Sequence, residues 1–245
     1  MRKKTTLAVL ALVACATTAR AQDGDISQWF RSSTSLDNVA AYEEAYLRHV
    51  DWHRSQNDPW RWDMWTTASG ELGTYFIVSA DHMLADFDAP PFDPAADAAD
   101  AMQQFGSLVG GVTSGFSRIL TDVSRPAGTP DDFPLAHVFD FQVKLGKEAD
   151  FMAAVQKYHE ALDEANWEQP YIWVANITGG LTQFTVVFQY ANHADMAPPA
   201  MSADAIMEEA LGAPEAEIWS AMFADVIESM TETLWMYRPD LSYVP

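Results

Sequence analysis

The chain has 245 residues, of which 49% are hydrophobic and 12% aromatic, and its formal net charge is −21. This supply of apolar side chains is enough for a sizeable core, which excludes a chain that is disordered throughout. An acidic surface repels phosphate backbones and anionic lipids, so we expect neither nucleic-acid binding nor adsorption to a membrane surface.

The first 21 residues have the pattern of a secretory signal peptide. Basic residues 2–4 precede an uncharged stretch, and Ala19-Arg20-Ala21 forms a cleavage site of the A-x-A type. Cleavage after Ala21 predicts a periplasmic or extracellular protein, and losing four basic residues takes the net charge from −21 to −25. The alternative is a lipobox at Cys15, the one cysteine of the sequence, whose lipidation would anchor the chain to a membrane.

The next hundred residues predict strands and helices in the order β-α-β-β-α-β. The predicted elements are a strand over 26–31, a helix over 38–54, strands over 60–66 and 74–80, a helix over 95–109 and a strand over 118–123. A proline-containing stretch over 84–98 reads as an irregular insertion that leads into the second helix. Residues 125–134 are rich in Pro, Gly and Asp, which is typical of a linker.

The remaining residues predict the same order again. Residues 138–145 alternate between apolar and polar side chains, as a half-buried strand does. A helix over 150–165, strands over 171–177 and 182–190 joined through Gly179-Gly180, a helical region over 203–230 and a strand over 233–238 follow. The helical region is expected to break near Gly212-Ala213-Pro214.

The two halves also share local sequence. Pro59-Trp60-Arg61-Trp62 and Pro170-Tyr171-Ile172-Trp173 are related in order, at an offset of 111 residues. An internal repeat with this element order predicts an α+β fold of two tandem ferredoxin-like units. We place the signal peptide at 1–21, the first unit at 22–126, the linker at 127–134 and the second unit at 135–245.

The second strand of each unit is rich in large apolar side chains. Alternation places Trp60, Trp62 and Met64 on one face, and Tyr171, Trp173 and Ala175 on the corresponding face. A sheet covered by helices on one side only would leave these faces bare, so we expect the two antiparallel sheets to pack face to face as an intrachain α/β barrel. Because the chain supplies its own partner sheet, it can exist as a monomer or a homodimer.

This pattern resembles the dimeric α/β barrel superfamily, which includes antibiotic-biosynthesis monooxygenase-like and NIPSNAP-like domains, with two units fused in one chain. The resemblance is carried by the strand-to-helix entry over 139–147, by the Trp-bearing second strands and by the glycine-containing hairpins. It implies a class that contains cofactor-free oxygenases, haem-binding enzymes, cyclases and proteins without known chemistry. The resemblance therefore predicts the fold and leaves the reaction open.

His49 and His53 stand four residues apart on a predicted helix, so both rings can lie on one face as two metal or haem ligands would. A third ligand would have to come from His82, Glu43 or elsewhere. The same spacing is common on solvated helices, and the charged residues nearby favour that interpretation. The expectation is therefore a protein without a metal or other cofactor, with haem or a divalent metal at this pair as the alternative.

The run Trp60-Arg61-Trp62-Asp63-Met64-Trp65 is the most unusual local feature. Its aromatic rings could line an apolar pocket in which a flat ligand stacks. The alternative is that these rings only fill the core. His82 and His193 recur after the third strand of each unit. The preceding residues, Asp81 and Asn192, are suited to cap a helix, so the alternative for these positions is capping and packing alone. The residues predicted to contact a ligand are Trp60, Trp62, Trp173, Asn176, Tyr190, His82 and His193.

The sequence contains no G-x-S-x-G, phosphate-binding loop, G-x-G-x-x-G or H-E-x-x-H motif, so no hydrolase, nucleotide or zinc-protease chemistry is indicated. The expected function is a binding protein for a small apolar or aromatic molecule, without catalysis. The alternative is a haem-dependent oxidoreductase or a cofactor-free monooxygenase.

Overall fold

A computed structural model describes residues 24–179, 183–197 and 202–245 of the chain. The signal-peptide pattern and the hairpin residues Gly180 and Thr182 lie outside these ranges, so the expectations about them stay predictions. Within the described part of the chain, none of the helices combines the length and apolar character that crossing a membrane requires.

The described part of the chain contains eight strands and five α-helices. The strands are β1 (Ile26–Ser33), β2 (Asp63–Ser69), β3 (Thr74–His82), β4 (Gly111–Ile119), β5 (Leu135–Val143), β6 (Tyr171–Asn176), β7 (Phe184–Tyr190) and β8 (Ile227–Tyr237). The α-helices are α1 (Val39–Gln56), α2 (Pro94–Phe105), α3 (Glu148–Glu164), α4 (Ala203–Leu211) and α5 (Ala213–Val226). Short 3-10 helices span Leu36–Asn38, Leu84–Asp88, Thr121–Val123 and His193–Met196.

The strands form one closed antiparallel barrel in the order β1-β3-β2-β8-β5-β7-β6-β4. The four strands of each half are neighbours, and the halves meet along two seams. Trp65 of β2 pairs with Tyr237 of β8 at one seam, and Ser117 of β4 pairs with Asn176 of β6 at the other. The fold is therefore α+β, and the closure leaves every barrel strand with two hydrogen-bonded neighbours.

The faces of the second strands point the opposite way from the expectation. Trp62 and Met64 pack against Tyr42 and Tyr46 of α1. In the second half, Trp173 packs in the same manner against helix α3, in a cluster with Phe151, Val155 and Leu162. The expectation that these faces cover one another across two stacked sheets is wrong, because each is covered by the helix of its own half.

The opposite faces of the strands line the barrel interior. Ala136, Val138 and Trp235 form its buried cluster, with Trp65 and Phe76 packed against them. The Trp29 ring stacks on Phe76 at a centroid distance of 5.9 Å, which continues the aromatic filling. The barrel is thus a packed core, and the space between sheet and helices is where a pocket has to be sought.

Strand β4 begins at Gly111, seven residues before the predicted strand, and α2 ends at Phe105. The prediction was displaced because the glycine-rich sequence of β4 has low strand propensity. The structure needs one of these glycines: a Cβ on Gly115 would lie 2.1 Å from the Thr178 carbonyl oxygen and 2.7 Å from the Trp29 ring. Gly115 therefore allows β4 and the chain after β6 to approach at the second seam.

Smaller differences concern the ends of elements. Helix α5 ends at Val226 and β8 begins at Ile227, so the last strand is longer than predicted at the expense of the helix. The break between α4 and α5 falls at Gly212, as the sequence indicates, with a positive φ of 81°. Residues 84–88 form a 3-10 helix within the stretch predicted to be irregular.

Candidate functional site

A pocket lies in the first half, between the sheet and the segment that leads into α2. Its volume is about 150 Å³. Aromatic rings dominate the lining, and one carboxylate reaches it; the lining residues are Gln28, Phe30, Trp60, Trp62, Phe87, Pro90, Phe92, Pro94, Asp97 and Phe116. Two of the predicted ligand contacts, Trp60 and Trp62, are therefore pocket residues.

Helix α1 supplies two buried histidines beside this pocket. The helix buries one stripe of side chains, Tyr42, Ala45, Tyr46, His49, Val50 and His53, at the spacing of one helical face. His49 and His53 are 7% and 5% exposed, and their ring centroids are 4.7 Å apart. The prediction that both rings share a face is confirmed, and the face is buried rather than solvated.

Helix α2 supplies the carboxylates that face these histidines. Asp93 caps the helix by accepting hydrogen bonds from the Ala95 and Ala96 amides, and Pro94 takes the first helical position. This start of the helix places Asp97 and Asp100, three residues apart, on the side that packs on α1.

The histidine nitrogens have separate partners. His49 Nδ1 lies 2.8 Å from Asp100 Oδ2, and His53 Nδ1 lies 2.8 Å from Asp58 Oδ2. The Nε2 atoms of the two rings approach one common atom, Asp97 Oδ1, at 3.2 and 3.4 Å. The two Nε2 atoms and a carboxylate oxygen of Asp97 all lie within 4.8 Å of one another, so His49, His53 and Asp97 could hold a metal ion.

Asp58 fixes the orientation of His53. It follows Asn57, which ends α1 in the left-handed region at φ 52°, and it is 1% exposed. Its carboxylate also accepts hydrogen bonds from the Trp60 amide and the Trp62 indole, at 2.9 and 3.1 Å. Burial raises the pKa of Asp58, but the hydrogen bonds from His53, Trp60 and Trp62 outweigh it and hold the pKa below its usual value.

The neighbouring carboxylates also act on His49. Burial lowers its pKa, whereas the nearby carboxylates of Asp97 and Asp100 raise it, with a net shift above the ordinary value. Without a bound cation, this cluster therefore favours a proton on His49.

His82 lies behind the pocket wall. Its ring centroid is 4.2 Å from that of Trp60, and its Nε2 lies 2.7 Å from Ser79 Oγ. Burial lowers the pKa of His82, while the charges of Asp86, Asp81 and Asp58 oppose this shift. Its ring thus supports Trp60 rather than lining the pocket. Asp81, considered a helix cap, instead has a positive φ of 64° and does not cap the 3-10 helix.

The segment that follows β8, residues 238–243, closes over the first half, and we call it the closing segment. Tyr243 exchanges two backbone hydrogen bonds of 2.9 Å with Trp62. The Tyr243 hydroxyl donates to the Asp58 carbonyl oxygen at 2.7 Å, and its ring centroid is 5.6 Å from that of His53. Residues late in the sequence thus complete the wall behind His53.

The other predicted ligand contacts lie in the second half. Trp173 is buried under α3, Asn176 ends β6 beside β4, Tyr190 ends β7 half-buried, and His193 is exposed in a 3-10 helix. The structure does not bring them to the first-half pocket. A ligand contact by these residues stays a prediction. Asn192 caps that 3-10 helix, as expected from the sequence.

A larger cavity of about 470 Å³ lies between α4 and α5. Its described lining consists of small, acidic and aliphatic side chains: Asp204, Met207, Glu208, Ala213, Ala216, Glu217, Ser220, Ala221 and Ala224. Within the described ranges, its lining offers neither an aromatic ring nor an imidazole. The smaller pocket therefore has the better chemistry for recognising a ligand.

Haem, which the sequence resemblance implies for part of its class, is larger than the first-half pocket beside His49 and His53. A pocket of about 150 Å³ is well below the ~300–1,000 Å³ of sites for drug-sized ligands. The corresponding space in the second half is filled by the rings of Phe151, Trp219 and Phe223. His49 and His53 also direct their Nε2 atoms toward the Asp97 carboxylate rather than toward a macrocycle.

Sequence reasoning missed Asp58, Asp97 and Asp100 as partners of the histidines. The third ligand was expected from His82, Glu43 or elsewhere, and the carboxylate that the structure brings to both histidines is that of Asp97 of α2. Asp97 and Asp100 carried a signal, because their spacing of three puts them on one helical face. Nothing in the sequence indicated that this face of α2 packs on α1.

No family model and no curated protein matches the sequence. Solved structures do match its fold. An anthrone oxidase-like protein aligns with a TM-score of 0.57 and 9% identity over 89% of this chain and 92% of that chain. A candidate monooxygenase from Lactobacillus acidophilus NCFM aligns with a TM-score of 0.52 and 10% identity over 88% and 94% of the two chains.

A chlorite dismutase variant from Candidatus Nitrospira defluvii aligns with a TM-score of 0.50 and 12% identity over 89% and 92% of the chains. At these identities the likeness shows the fold alone: the chain is similar to proteins with monooxygenase-like and chlorite dismutase-like barrels. This comparison contradicts the expectation of a binding protein without catalysis and favours the alternative, because the similar structures are described as a candidate monooxygenase, an anthrone oxidase-like protein and a chlorite dismutase.

Proposed function

We propose that the protein is an oxidoreductase that oxidises a small aromatic molecule with dioxygen in the first-half pocket. The observation that carries the proposal is the position of Asp97, which lines the aromatic pocket and also closes the cluster of His49 and His53. A substrate in the pocket would thus lie directly beside the charged and titratable groups of the site.

The pocket lining indicates the substrate. Trp60, Phe87, Phe92 and Phe116 offer ring faces and edges for stacking, and Gln28 offers a hydrogen bond that can orient a polar substituent. A volume of about 150 Å³ suits a single ring, since an apolar cavity of about 150 Å³ binds benzene.

Charge narrows the substrate class further. Asp58, Asp97 and Asp100 surround the site, and the chain carries a net charge of −21. An aromatic carboxylate or phosphate would be repelled, so the substrate is a neutral phenol, hydroquinone or arylamine.

The similarity to barrels described as an anthrone oxidase-like protein and a candidate monooxygenase supports this reaction class. We further propose that the chain belongs to the dimeric α/β barrel superfamily. It would consist of two ferredoxin-like units at 22–126 and 135–245, joined by 127–134. The element order of each half and the two barrel seams support this division.

The proposed location is the periplasm or the extracellular space. The signal-peptide pattern with its cleavage site after Ala21 supports export, and lipidation at Cys15 is the alternative. The mass of the mature protein isolated from its host decides between them. A chain that begins at Gln22 supports cleavage, a diacylglycerol-modified Cys15 supports anchoring, and an intact residue 1 contradicts both.

The oxidation is tested with a panel of monocyclic phenols, hydroquinones and arylamines, and with matched carboxylated analogues. Dioxygen consumption is measured with an oxygen electrode, on the protein as purified and after addition of iron(II), and products are identified by mass spectrometry. We expect turnover of neutral monocyclic compounds and little turnover of the carboxylated ones. No consumption above the protein-free rate under either condition would overturn the proposal.

Pocket variants locate the reaction. Phe87→Ala and Phe92→Ala remove lining rings and should raise KM for monocyclic substrates while admitting bicyclic ones. Phe223→Ala is the matched control, because it removes a ring of the same size from the second-half core. Turnover that is unchanged in Phe87→Ala and Phe92→Ala would place the reaction elsewhere.

A further inference from the structure

We propose that His49 Nε2, His53 Nε2 and a carboxylate oxygen of Asp97 bind one divalent first-row transition metal ion whose open coordination positions face the aromatic pocket. This inference names the cofactor of the proposed oxidation, but the binding of the ion does not depend on that reaction. The donor set of two imidazoles and one carboxylate matches non-haem iron(II) sites.

The spacing of the ligand atoms suits such an ion. Asp97 Oδ1 lies 3.2 Å from His49 Nε2 and 3.4 Å from His53 Nε2. Metal bonds of about 2.0–2.2 Å at tetrahedral or octahedral angles place neighbouring donor atoms about 3.0–3.5 Å apart. The three side chains therefore need only small movements to share an ion.

The partners of the other ring nitrogens fix the protonation pattern. His49 Nδ1 faces Asp100, and His53 Nδ1 faces Asp58, at 2.8 Å each. A carboxylate anion only accepts hydrogen bonds, so Nδ1 carries the proton in each neutral ring and Nε2 presents a lone pair. In metal-binding histidines, the ring nitrogen that does not bind the metal commonly donates a hydrogen bond to a carboxylate in the same way.

Asp97 Oδ1 supplies an independent observation. It is buried, and within the described part of the chain no group donates a hydrogen bond to it, although both Nε2 atoms are close. A buried carboxylate oxygen that accepts no hydrogen bond is unfavourable, and a cation placed among the three ligand atoms satisfies it.

The arrangement is held rigidly, as a preformed site requires. The histidines are four residues apart on α1, and the carboxylates Asp97 and Asp100 are three apart on α2. Asp58 is fixed by Trp60 and Trp62 in addition to His53. Three carboxylates and two neutral imidazoles carry a local charge of −3, which a divalent ion reduces to −1.

Three protein ligands leave further coordination positions open, which is typical of catalytic rather than structural sites. Asp97 is both a proposed ligand and a pocket residue, so a substrate and dioxygen in the pocket would lie next to a bound ion.

Cobalt(II) is the probe, because its d–d absorption reports binding and coordination geometry. The chelator-treated full chain is titrated anaerobically with cobalt(II). The bound metal is quantified by inductively coupled plasma mass spectrometry. We expect saturation at one ion per chain, and displacement of cobalt by an excess of iron(II).

Variants assign the ligands. His49→Gln, His53→Gln and Asp97→Asn should each abolish the saturable cobalt absorption. Asp58→Asn, which changes a partner of His53 and not a ligand, should weaken binding by about 10- to 100-fold. His159→Gln is the matched control, because His159 also lies on a buried helix near a carboxylate four residues on, Asp163, and should bind as the parent does. Circular dichroism checks that each variant is folded.

The results separate the two proposals. Absence of one-to-one cobalt binding, or unchanged binding in folded Asp97→Asn, would show that the cluster is an ion pair between protonated histidines and aspartates. Metal binding without any substrate oxidation contradicts the proposed function and leaves the metal site standing. Oxidation that survives chelation and the ligand variants contradicts the metal site and leaves the oxidation standing.

Discussion

Arg238 and Glu43 form a two-pronged ion pair, with Nη1 and Nη2 of Arg238 2.7 and 3.0 Å from the two carboxylate oxygens of Glu43. Arg238 opens the closing segment, and Glu43 lies on α1 six residues before His49. The pair therefore attaches the helix that carries both site histidines to the end of the last barrel strand. Tyr75 donates a further hydrogen bond to Glu43 at 2.9 Å.

Replacement of Glu43 by Gln should lower the free energy of unfolding by about 1–2 kcal/mol at pH 7. The hydrogen bond from Arg238 is the main cause that lowers the pKa of Glu43 below its usual 4.5, although burial opposes it. The ionised form thus stabilises the fold above pH 4.5, and this contribution disappears as the pH falls through the lowered pKa. Denaturant unfolding at pH 7 and below pH 4 measures the difference.

The control for this prediction is Glu44→Gln. Glu44 pairs with Arg48 on the exposed side of α1, where its side chain is 80% accessible. An exposed ion pair contributes little to stability, so we expect the free energy of unfolding to change by no more than about 0.5 kcal/mol. Equal losses in the two variants would contradict the role assigned to Arg238.

Gly115→Ala should destabilise the barrel by about 2–3 kcal/mol or prevent folding. Its Cβ would collide with the Thr178 carbonyl oxygen, a backbone atom that cannot move without opening the seam between β4 and β6. Gly111→Ala in the same strand meets no atom within 4 Å and should be neutral or slightly stabilising. Thermal unfolding of both variants tests this, and a tolerated Gly115→Ala would be incompatible with the described seam.

Tyr243→Phe should cost about 1–2 kcal/mol, because the buried Asp58 carbonyl oxygen would lose the hydroxyl that donates to it. The loss should extend to the site, since Asp58 orients His53. The measurement is denaturant unfolding together with the affinity for cobalt(II). A variant with parental stability and parental affinity would show that the closing segment does not support the histidines.

Metal should raise the thermal stability of the parent chain. An ion that binds only the folded state, at a free concentration 100 times its Kd, adds about 2.7 kcal/mol to the free energy of unfolding. Differential scanning calorimetry with and without excess cobalt(II) should show this gain in the parent and in His159→Gln, and no gain in His53→Gln. A gain of the same size in His53→Gln would mean that the ion binds elsewhere on the acidic surface.

Alternation along the second strands correctly grouped Trp60, Trp62 and Met64 on one face, since a strand has a period of two. It could not say which layer covers that face. Both an opposing sheet and a helix bury large rings equally well, and the sequence carried no further information on this choice. The helix proved to be the cover, so these rings lie between sheet and helix.

The site was predictable in part for a similar reason. The helical spacing of His49 and His53 is local and was visible in the sequence. Asp58 and Asp97 join them only through the end of α1 and the packing of α2 on α1, which are tertiary relationships. A charged residue in a predicted helix gives no sign of whether it faces solvent or a neighbouring helix, so Asp97 looked like an ordinary surface residue.

The closing segment has a consequence for how the protein matures. Tyr243 forms part of the wall behind His53, although nearly two hundred residues separate them in the sequence. The surroundings of His53 are therefore complete only when the end of the chain has folded onto the first half. A chain that ends before Tyr243 would lack this part of the wall.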